Sequence, residues 1–206
     1  MLLKLEHTDT STWPDQVTHL YIANFLAGRY NDLSLSESET EDNEIVIVIA
    51  KGPKNTTVPV DIAISSTGNM KKSLRICEGA KIMTTKNIDI SDKLINGTLA
   101  TIQKLDRVGN DIYGYPKGRV YIKCDDESAG NKYKDNRLIQ ELKDCVPINP
   151  YVAHFKYAGK DITRNQFPFI VAHGITSHKS QGSTLNYFVA DLDRSPSTGS
   201  KRKLSH

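Results

Sequence analysis

The chain has 206 residues, of which 38% are hydrophobic and 25% charged, a composition typical of a packed protein rather than a disordered one. Its formal net charge of only +3 argues against a surface that is basic all over, so any contact with nucleic acid must come from a local patch. The three cysteines form neither a zinc spacing nor a disulfide framework, and we predict no metal site.

The start of the chain has charges at Lys4 and Glu6 and no long apolar run, so it is not a signal peptide. The longest apolar runs, EIVIVIA and FPFIVA, have the length of strands and are too short to cross a bilayer. We therefore expect a soluble intracellular protein that makes no membrane contact.

The first predicted unit is a strand followed by a helix. Val17–Tyr21 reads as a short strand, and Asn24 suits a helix N-cap. The apolar face of the helix is formed by Phe25, Leu26 and Tyr30. Residues 34–44, SLSESETEDNE, are acidic and rich in serine, and we predict a solvated loop.

The next segment, Glu44–Ala50, is nearly all β-branched, which predicts a strand that is buried on both faces. From about Leu74, strand-like runs follow one another without helices between them. They are separated by turn signals at Asn96-Gly97, Gly109-Asn110 and Pro116-Lys117-Gly118. Short strands at this spacing predict a small β-barrel or meander.

The α/β pattern returns at FPFIVAHG, which is predicted as a buried parallel strand, and a further strand is predicted at Asn186–Leu192. The simplest account is one α/β domain interrupted by an inserted β module. We place its first part at residues 1–75, the insert at 76–166, the remainder at 167–194 and a disordered tail at 195–206.

The polar run Thr176–Gly182 follows the predicted parallel strand, at the end of an α/β sheet where ligands bind. Thr176 or Ser177 can cap a short helix whose free N–H groups face an anion, and Lys179 adds a charge that suits phosphate. On physical grounds alone, the same residues also suit an ordinary polar loop with a solvated lysine.

The segment IVAHGITSHKSQGSTLNYFVADL resembles motif V of the Pif-type (petite integration frequency) and related RecD-like helicases of superfamily one. The shared core is Thr-x-His-Lys-Ser-Gln-Gly-x-Thr-Leu. The resemblance implies that single-stranded DNA is bound by Thr176, His178, Lys179 and Ser180. It places Gln181 and Gly182 on the nucleotide side.

Two further segments resemble the same family in the same order. Residues 12–31 resemble motif IV, in which Asn24 and Asn31 match and Ala23 replaces the usual threonine. The stretch from Leu74, with Glu78-Gly79-Ala80 and Asn96-Gly97, resembles the opening of the inserted β-barrel. Arg164–Phe169 resembles the strand that leaves it.

The resemblance implies an incomplete RecA-like domain of the P-loop NTPase type, with an inserted small β-barrel. The complete enzyme would be an ATP-dependent 5′–3′ DNA helicase that uses Mg²⁺ and acts in repair, recombination or telomere maintenance. Its partners would be single-stranded DNA and an N-terminal RecA-like domain. A nuclear rather than mitochondrial location and the rolling-circle mobile-element branch are further expectations.

The chain contains no Gly-x-x-x-x-Gly-Lys-Ser/Thr phosphate loop, and neither an acidic Walker B strand nor the family's final arginine motif is recognisable. We therefore expect that this chain alone neither hydrolyses ATP nor binds ATP and Mg²⁺ tightly, as in a truncated gene or a degenerate copy. Two alternatives stay open. One is a non-catalytic module that binds single-stranded DNA through the motif V loop and the β insert, where Tyr113, Tyr115, Tyr121, Lys117, Arg119 and Lys123 are interleaved, and the other is an inert helicase remnant.

Overall fold

A computed structural model describes residues 17–52, 64–134, 139–181 and 188–191. Its elements in chain order are β1 (Thr18–Tyr21), α1 (Asn24–Glu37), β2 (Val46–Ile49), β3 (Ser73–Ile76), β4 (Lys81–Thr84), β5 (Leu99–Asn110), β6 (Pro116–Cys124), β7 (Val146–Ile148), β8 (Tyr151–Tyr157), β9 (Lys160–Gln166), β10 (Phe169–Val171), β11 (Gly174–Thr176) and β12 (Phe188–Asp191). Short 3₁₀ helices lie at Ile64–Thr67 and Asn131–Tyr133.

A three-stranded parallel sheet has β1 at its centre, between β11 and β12. The predicted strands at Val17–Tyr21 and Asn186–Leu192 are confirmed by β1 and β12. Helix α1 packs against β1 and β11. The carboxyl ends of β1 and β11 lie at the same edge of the sheet, where Tyr21 pairs with Thr176.

Helix α1 differs from its prediction at both ends. The N-cap is Ala23, so Asn24 is the first helical residue rather than the cap. At the other end, the predicted loop 34–44 is helical as far as Glu37, because Leu35 is buried and anchors the last turn. On the predicted apolar face, Phe25 is 67% exposed, and the buried helical residues are Ala27 and Leu35 instead.

Strand β2 is not buried on both faces as predicted from Glu44–Ala50. It pairs antiparallel with β3 in a two-stranded ribbon, so only alternate side chains reach the core. Val48 is fully buried, whereas Ile47 and Ile49 are 54% and 45% exposed. On the other edge, the Asn110 side chain accepts from the Ile49 N–H (2.9 Å) and donates to the Ile49 carbonyl (2.7 Å).

The middle of the chain forms an antiparallel five-stranded sheet in the order β10-β4-β5-β6-β7, and β8 and β9 form a separate hairpin. Within the described residues this sheet is open, so the predicted closed barrel is not shown. One large hydrophobic core packs against it, with Phe167, Ile82, Ile102 and Ile122 among its fully buried side chains.

The hairpin of β5 and β6 is longer than its turn signals indicated. Its turn is Asp111–Tyr115, where the Asp111 carboxylate accepts from the N–H groups of Tyr113 and Tyr115 at 2.9 and 2.8 Å. The predicted turn at Pro116-Lys117-Gly118 lies within β6. Gly118 faces a bulge of β5, and a Cβ there would lie 2.5 Å from the Arg107 backbone, so the glycine permits the bulge rather than a turn.

The predicted parallel strand FPFIVAHG is divided between two sheets. Its first part is β10, which pairs antiparallel with β4, and its end enters β11 of the parallel sheet. His173 lies between them, where its Nε2 accepts from the Lys81 N–H (3.2 Å) and its carbonyl accepts from the His19 N–H (2.8 Å). Burial, and secondarily the charge of Lys81, lower the pKa of His173 to about 4.

This pKa predicts an acid-sensitive link between the sheets. An ordinary histidine in the unfolded chain titrates near 6.5, so the stability from neutral His173 is fully present above pH 6.5 and is lost as pH falls towards 4. We expect a loss of about 2 kcal/mol, after allowance for partial solvent access. His173→Gln, which keeps an acceptor, should reduce the loss in urea unfolding at pH 7 and pH 4.5. The exposed control His154→Gln should lose as much stability between pH 7 and pH 4.5 as the wild type does. If His173→Gln also loses as much as the wild type, His173 is not the source of the acid sensitivity.

Candidate functional site

A cleft of about 400 Å³ lies beside β11 and the first half of α1, and it extends to the carboxyl end of β11 at Thr176. Its volume lies within the range of small-ligand sites, and its end at Thr176 is at the edge of the parallel sheet where ligands bind in α/β sheets. The apolar part of the lining is formed by Ile170, Val171 and Ile175. The polar part comes from three segments, namely helix α1, the end of β11 with the turn that follows it, and residues 65–71. These contribute Asn24, Asn31, Ser65, Asn69, Lys71, Thr176 and Lys179.

The turn after β11 brings Lys179 to this cleft. The Thr176 carbonyl accepts from the N–H groups of Lys179 (2.9 Å) and Ser180 (3.1 Å), and the Ser177 N–H donates to the Tyr21 carbonyl (3.1 Å). The chain therefore folds back over the strand ends. Residues 177–181 form a hydrogen-bonded turn rather than the predicted short helix, and the N–H groups of Ser177, Lys179 and Ser180 already have backbone partners.

The structure separates the six residues predicted from motif V. Thr176 and Lys179 line the cleft together. His178 and Gln181 are exposed and do not line it. The Ser180 hydroxyl donates to the Ser177 carbonyl at 2.8 Å, so it stabilises the turn. Gly182 lies outside the described residues.

The N-terminal end of α1 forms another wall, through Asn24, Ala27 and Gly28. Ala23 has the extended conformation of an N-cap (φ −112°, ψ 138°) but supplies no side-chain hydrogen bond. The first N–H groups of a helix lack partners within the helix, and they carry the positive end of its dipole. This end therefore adds positive potential to the cleft.

Asn31 positions the loop that carries β11. Its Nδ2 donates to the carbonyls of Gly174 (2.8 Å) and Val171 (3.3 Å), and its Oδ1 accepts from the Gly174 N–H (2.7 Å). Gly174 is tightly enclosed, since a Cβ there would lie 2.9 Å from the Tyr21 ring and 3.1 Å from the Tyr30 ring. Asn31, which the resemblance to motif IV singled out, thus fixes the backbone of the cleft.

Two lysines set the electrostatics of the cleft. Although Lys179 is exposed at the mouth, partial desolvation of its ammonium lowers its pKa, and the charge of Lys71 lowers it further. Desolvation also lowers the pKa of Lys71, while the Asp32 carboxylate acts in the opposite direction. Within the described part of the chain neither lysine forms an ion pair.

Sequence reasoning missed Lys71, which belongs to no recognised motif and reaches the cleft only through the tertiary fold. Among the described residues, no carboxylate lines the cleft, and no group of three or more His, Cys, Asp or Glu side chains fits a metal ion. The arrangement is therefore suited to binding an anion of phosphate type rather than to proton transfer. Among the described helices, none has the length and apolar character needed to cross a membrane.

Comparison with solved structures gives the fold. The Pif1 helicase of Candida albicans matches with a TM-score of 0.60 and 20% identity over 90% of this chain and 40% of that one. Pif1 from Bacteroides in complex with ADP-AlF3 and single-stranded DNA matches with a TM-score of 0.55 and 18% identity, over 92% and 37%. This chain has a Pif1-like helicase fold.

The sheet-rich architecture is consistent with a portion of a RecA-like domain. A further Pif1 structure from Bacteroides, bound to single-stranded DNA, matches with a TM-score of 0.51 and 18% identity over 87% of this chain and 35% of that one. This chain thus spans less than half the length of these three Pif1 helicases.

Sequence comparison adds one relative of unknown activity. No protein-family model matches the chain. Uncharacterized protein 030L of Invertebrate iridescent virus 6 is 27% identical, over 58% of this chain and 28% of the viral protein. The Pif1-like description therefore rests on the fold.

The uncapped start of α1 predicts a stabilising substitution. Ala23→Thr places a hydroxyl in a residue that already has the N-cap conformation, so we expect the free energy of unfolding to rise by about 1 kcal/mol. Ala23→Val has the same shape without the hydroxyl and should give no such gain. Urea denaturation measures both variants, and an equal gain in the two would show that the added stability does not come from capping.

Removing the Asn31 side chain should loosen the cleft. Asn31→Ala leaves the Gly174 N–H and carbonyl without their partners, so we expect a loss of about 1–3 kcal/mol in urea unfolding. Leu33→Ala, on an exposed part of the same helix, is the control and should cost less than 1 kcal/mol. Equal losses of stability in the two variants would show that the effect comes from the helix in general and not from the hydrogen bonds of Asn31 to Gly174.

Proposed function

We propose that this chain is the C-terminal part of a Pif1-type DNA helicase and that its cleft binds the phosphate backbone of single-stranded DNA. The observation that carries the proposal is the meeting of Thr176 and Lys179 with the start of α1 at the carboxyl ends of parallel strands. Thr176 and Lys179 belong to the segment that resembles motif V, and Asn24 belongs to the one that resembles motif IV.

Backbone binding explains the composition of the cleft. Phosphate contacts from lysines, amide side chains and helix N-termini provide affinity without reading the sequence of the strand. Two similar structures of Bacteroides Pif1 are complexes with single-stranded DNA. His178 and Gln181 are exposed and lie outside the lining of the cleft, and we propose that His178 contacts the strand and that Gln181 faces the nucleotide side of the motor.

The wider assignment follows from the resemblance. We propose a portion of the second RecA-like domain with a barrel-like insert at residues 76–166, Gln181 and Gly182 on its nucleotide side, and an N-terminal RecA-like domain as its partner. The complete motor would move 5′ to 3′ with ATP and Mg²⁺ and would act in repair, recombination or telomere maintenance in the nucleus. A rolling-circle mobile element is the proposed source.

The described lining of the cleft does not by itself fit ATP and Mg²⁺. Among the described residues, the cleft offers lysine, amide and hydroxyl groups but no carboxylate for a metal ion, and the sequence contains no phosphate loop. We therefore assign the chain a part in holding the strand and no step of phosphoryl transfer.

A second candidate is a stand-alone module that binds single-stranded DNA through the tip of the β5–β6 hairpin. At that tip Tyr113 and Tyr115 are 71% and 47% exposed, and Lys51 lies 5.5 Å from the centroid of the Tyr115 ring. Exposed aromatic rings with adjacent cations suit base stacking. A Tyr113→Ala, Tyr115→Ala double variant separates the candidates, because only tip-centred binding predicts a loss of tenfold or more.

The cleft proposal predicts the behaviour of Lys179→Ala. With a labelled oligothymidine, fluorescence anisotropy should show affinity about fivefold lower at 0.1 M salt, and a salt dependence reduced by about 0.7 in log–log slope. The loss should be similar for oligonucleotides of different sequence. Lys72→Ala removes the same charge from an exposed residue outside the cleft and should retain wild-type affinity.

Two outcomes would contradict this prediction. Equal losses of affinity in Lys179→Ala and Lys72→Ala would show that the effect comes from the net charge of the protein and not from a contact in the cleft. Absence of salt-dependent binding by the wild type would favour an inert remnant over both candidates.

A further inference from the structure

Lys71 reaches the cleft through a segment that the core holds in place. The segment begins with the 3₁₀ helix Ile64–Thr67 and continues through Gly68 and Asn69, both left-handed with φ of 62° and 56°. Left-handed backbone is uncommon for a residue other than glycine, and it persists where the surroundings enforce it. Gly68 permits a close approach to β8, since a Cβ there would lie 2.9 Å from the Cβ of Ala153.

Buried hydrogen bonds anchor the residue just before Lys71. Met70 is 1% exposed, and its carbonyl accepts from the Arg164 guanidinium (2.8 Å) and from the Thr67 hydroxyl (3.0 Å). Arg164 is itself buried and comes from β9. The position of the Lys71 backbone is therefore set by the core and not by a freely moving surface loop.

The two lysines enter one small space from different elements. Lys179 comes from the turn after β11, and Lys71 comes from the segment before β3. Within the described residues, Asp32 is the carboxylate that acts on Lys71, and it lies 3.8 Å from the Arg75 guanidinium. Two ammonium groups without a carboxylate at contact distance repel each other, and an anion between them removes that repulsion.

We propose that Lys71 and Lys179 hold one and the same phosphate of the single-stranded DNA backbone, so that the strand is gripped from two sides of the cleft. This inference rests on the proposed function and adds to it a phosphate ligand that lies outside the recognised motifs. The lysines provide the charge, while the start of α1 provides further positive potential.

The first experiment is a set of lysine variants measured by anisotropy with a labelled oligothymidine at 0.1 M salt. Lys71→Met and Lys179→Met keep apolar stems and remove the charges, and Lys72→Met is the matched control next to Lys71. We expect each cleft variant to bind about fivefold more weakly, and Lys72→Met to bind as the wild type does. The affinity of the Lys71→Met, Lys179→Met double variant should fall by less than the product of the two single fold-changes, because the two lysines share one ligand.

The lysine variants separate a wrong role for Lys71 from a wrong assignment of the cleft to DNA. If Lys179→Met weakens binding while Lys71→Met behaves like Lys72→Met, the DNA cleft stands and the role of Lys71 is overturned. If the affinity of the double variant falls by the full product of the two single fold-changes, the lysines hold separate phosphates, and the proposal of one shared phosphate is overturned. If the wild type does not bind the strand, the proposed function itself fails.

Competition distinguishes a DNA phosphate from a free one. Inorganic phosphate should displace the oligothymidine no better than sulfate at the same ionic strength, because the strand binds through many contacts. If millimolar phosphate displaces the oligothymidine from the wild type but not from Lys71→Met, the two lysines bind a free phosphate ligand, and the proposal is overturned.

Gly28 offers a test that leaves both lysines intact. It lines the cleft from α1, and a Cβ at this position would have no neighbour within 4 Å. Gly28→Gln and Gly28→Glu should both fold, because either residue suits a helix interior better than glycine. We expect Gly28→Glu, which brings a carboxylate to the phosphate position, to bind the strand at least fivefold more weakly than Gly28→Gln, and equal affinities would contradict a phosphate at this place.

Discussion

The clamp between the Asn31 amide and the backbone at Val171 and Gly174 is the interaction on which the arrangement of the cleft depends. It joins α1 to the segment between β10 and β11, where the chain leaves the antiparallel sheet and enters the parallel one. Through this clamp the start of the helix lies beside the end of β11. Tyr21 and Tyr30 enclose Gly174 so closely that a side chain at this position would displace them.

The cleft is accordingly made from groups that are distant in sequence. The turn after β11 provides Lys179, the helix provides a positive N-terminal end, and the anchored segment before β3 provides Lys71. A single lysine on a protein surface binds phosphate weakly, because water screens its charge. Several positive groups that share one partly desolvated space bind it more strongly, which is the physical basis for the proposal that this cleft binds the DNA backbone.

The sequence predicted the parts of this architecture that depend on local pattern. It located β1 and β12, and it placed Lys179 just after a strand, although Thr176 is the last residue of that strand rather than part of the turn. It did not reveal that FPFIVAHG divides between two sheets, because a short apolar run looks the same in parallel and antiparallel surroundings. Nor did it reveal Lys71, whose role depends on the left-handed turn at Gly68 and Asn69 and on its anchoring by Arg164. The β5–β6 turn was misplaced because Gly118 permits a bulge, which shares its glycine preference with turns.

The central claim is that the strand lies in this cleft, and NMR of the ¹⁵N-labelled protein titrated with an unlabelled oligothymidine tests it most directly. Backbone amides of Asn24, Lys71, Thr176 and Lys179 should shift together and saturate at one affinity, while amides of the β8–β9 turn, which does not line the cleft, stay in place. Saturating shifts confined to the β5–β6 tip, with the cleft amides unchanged, would contradict the account and locate the strand elsewhere.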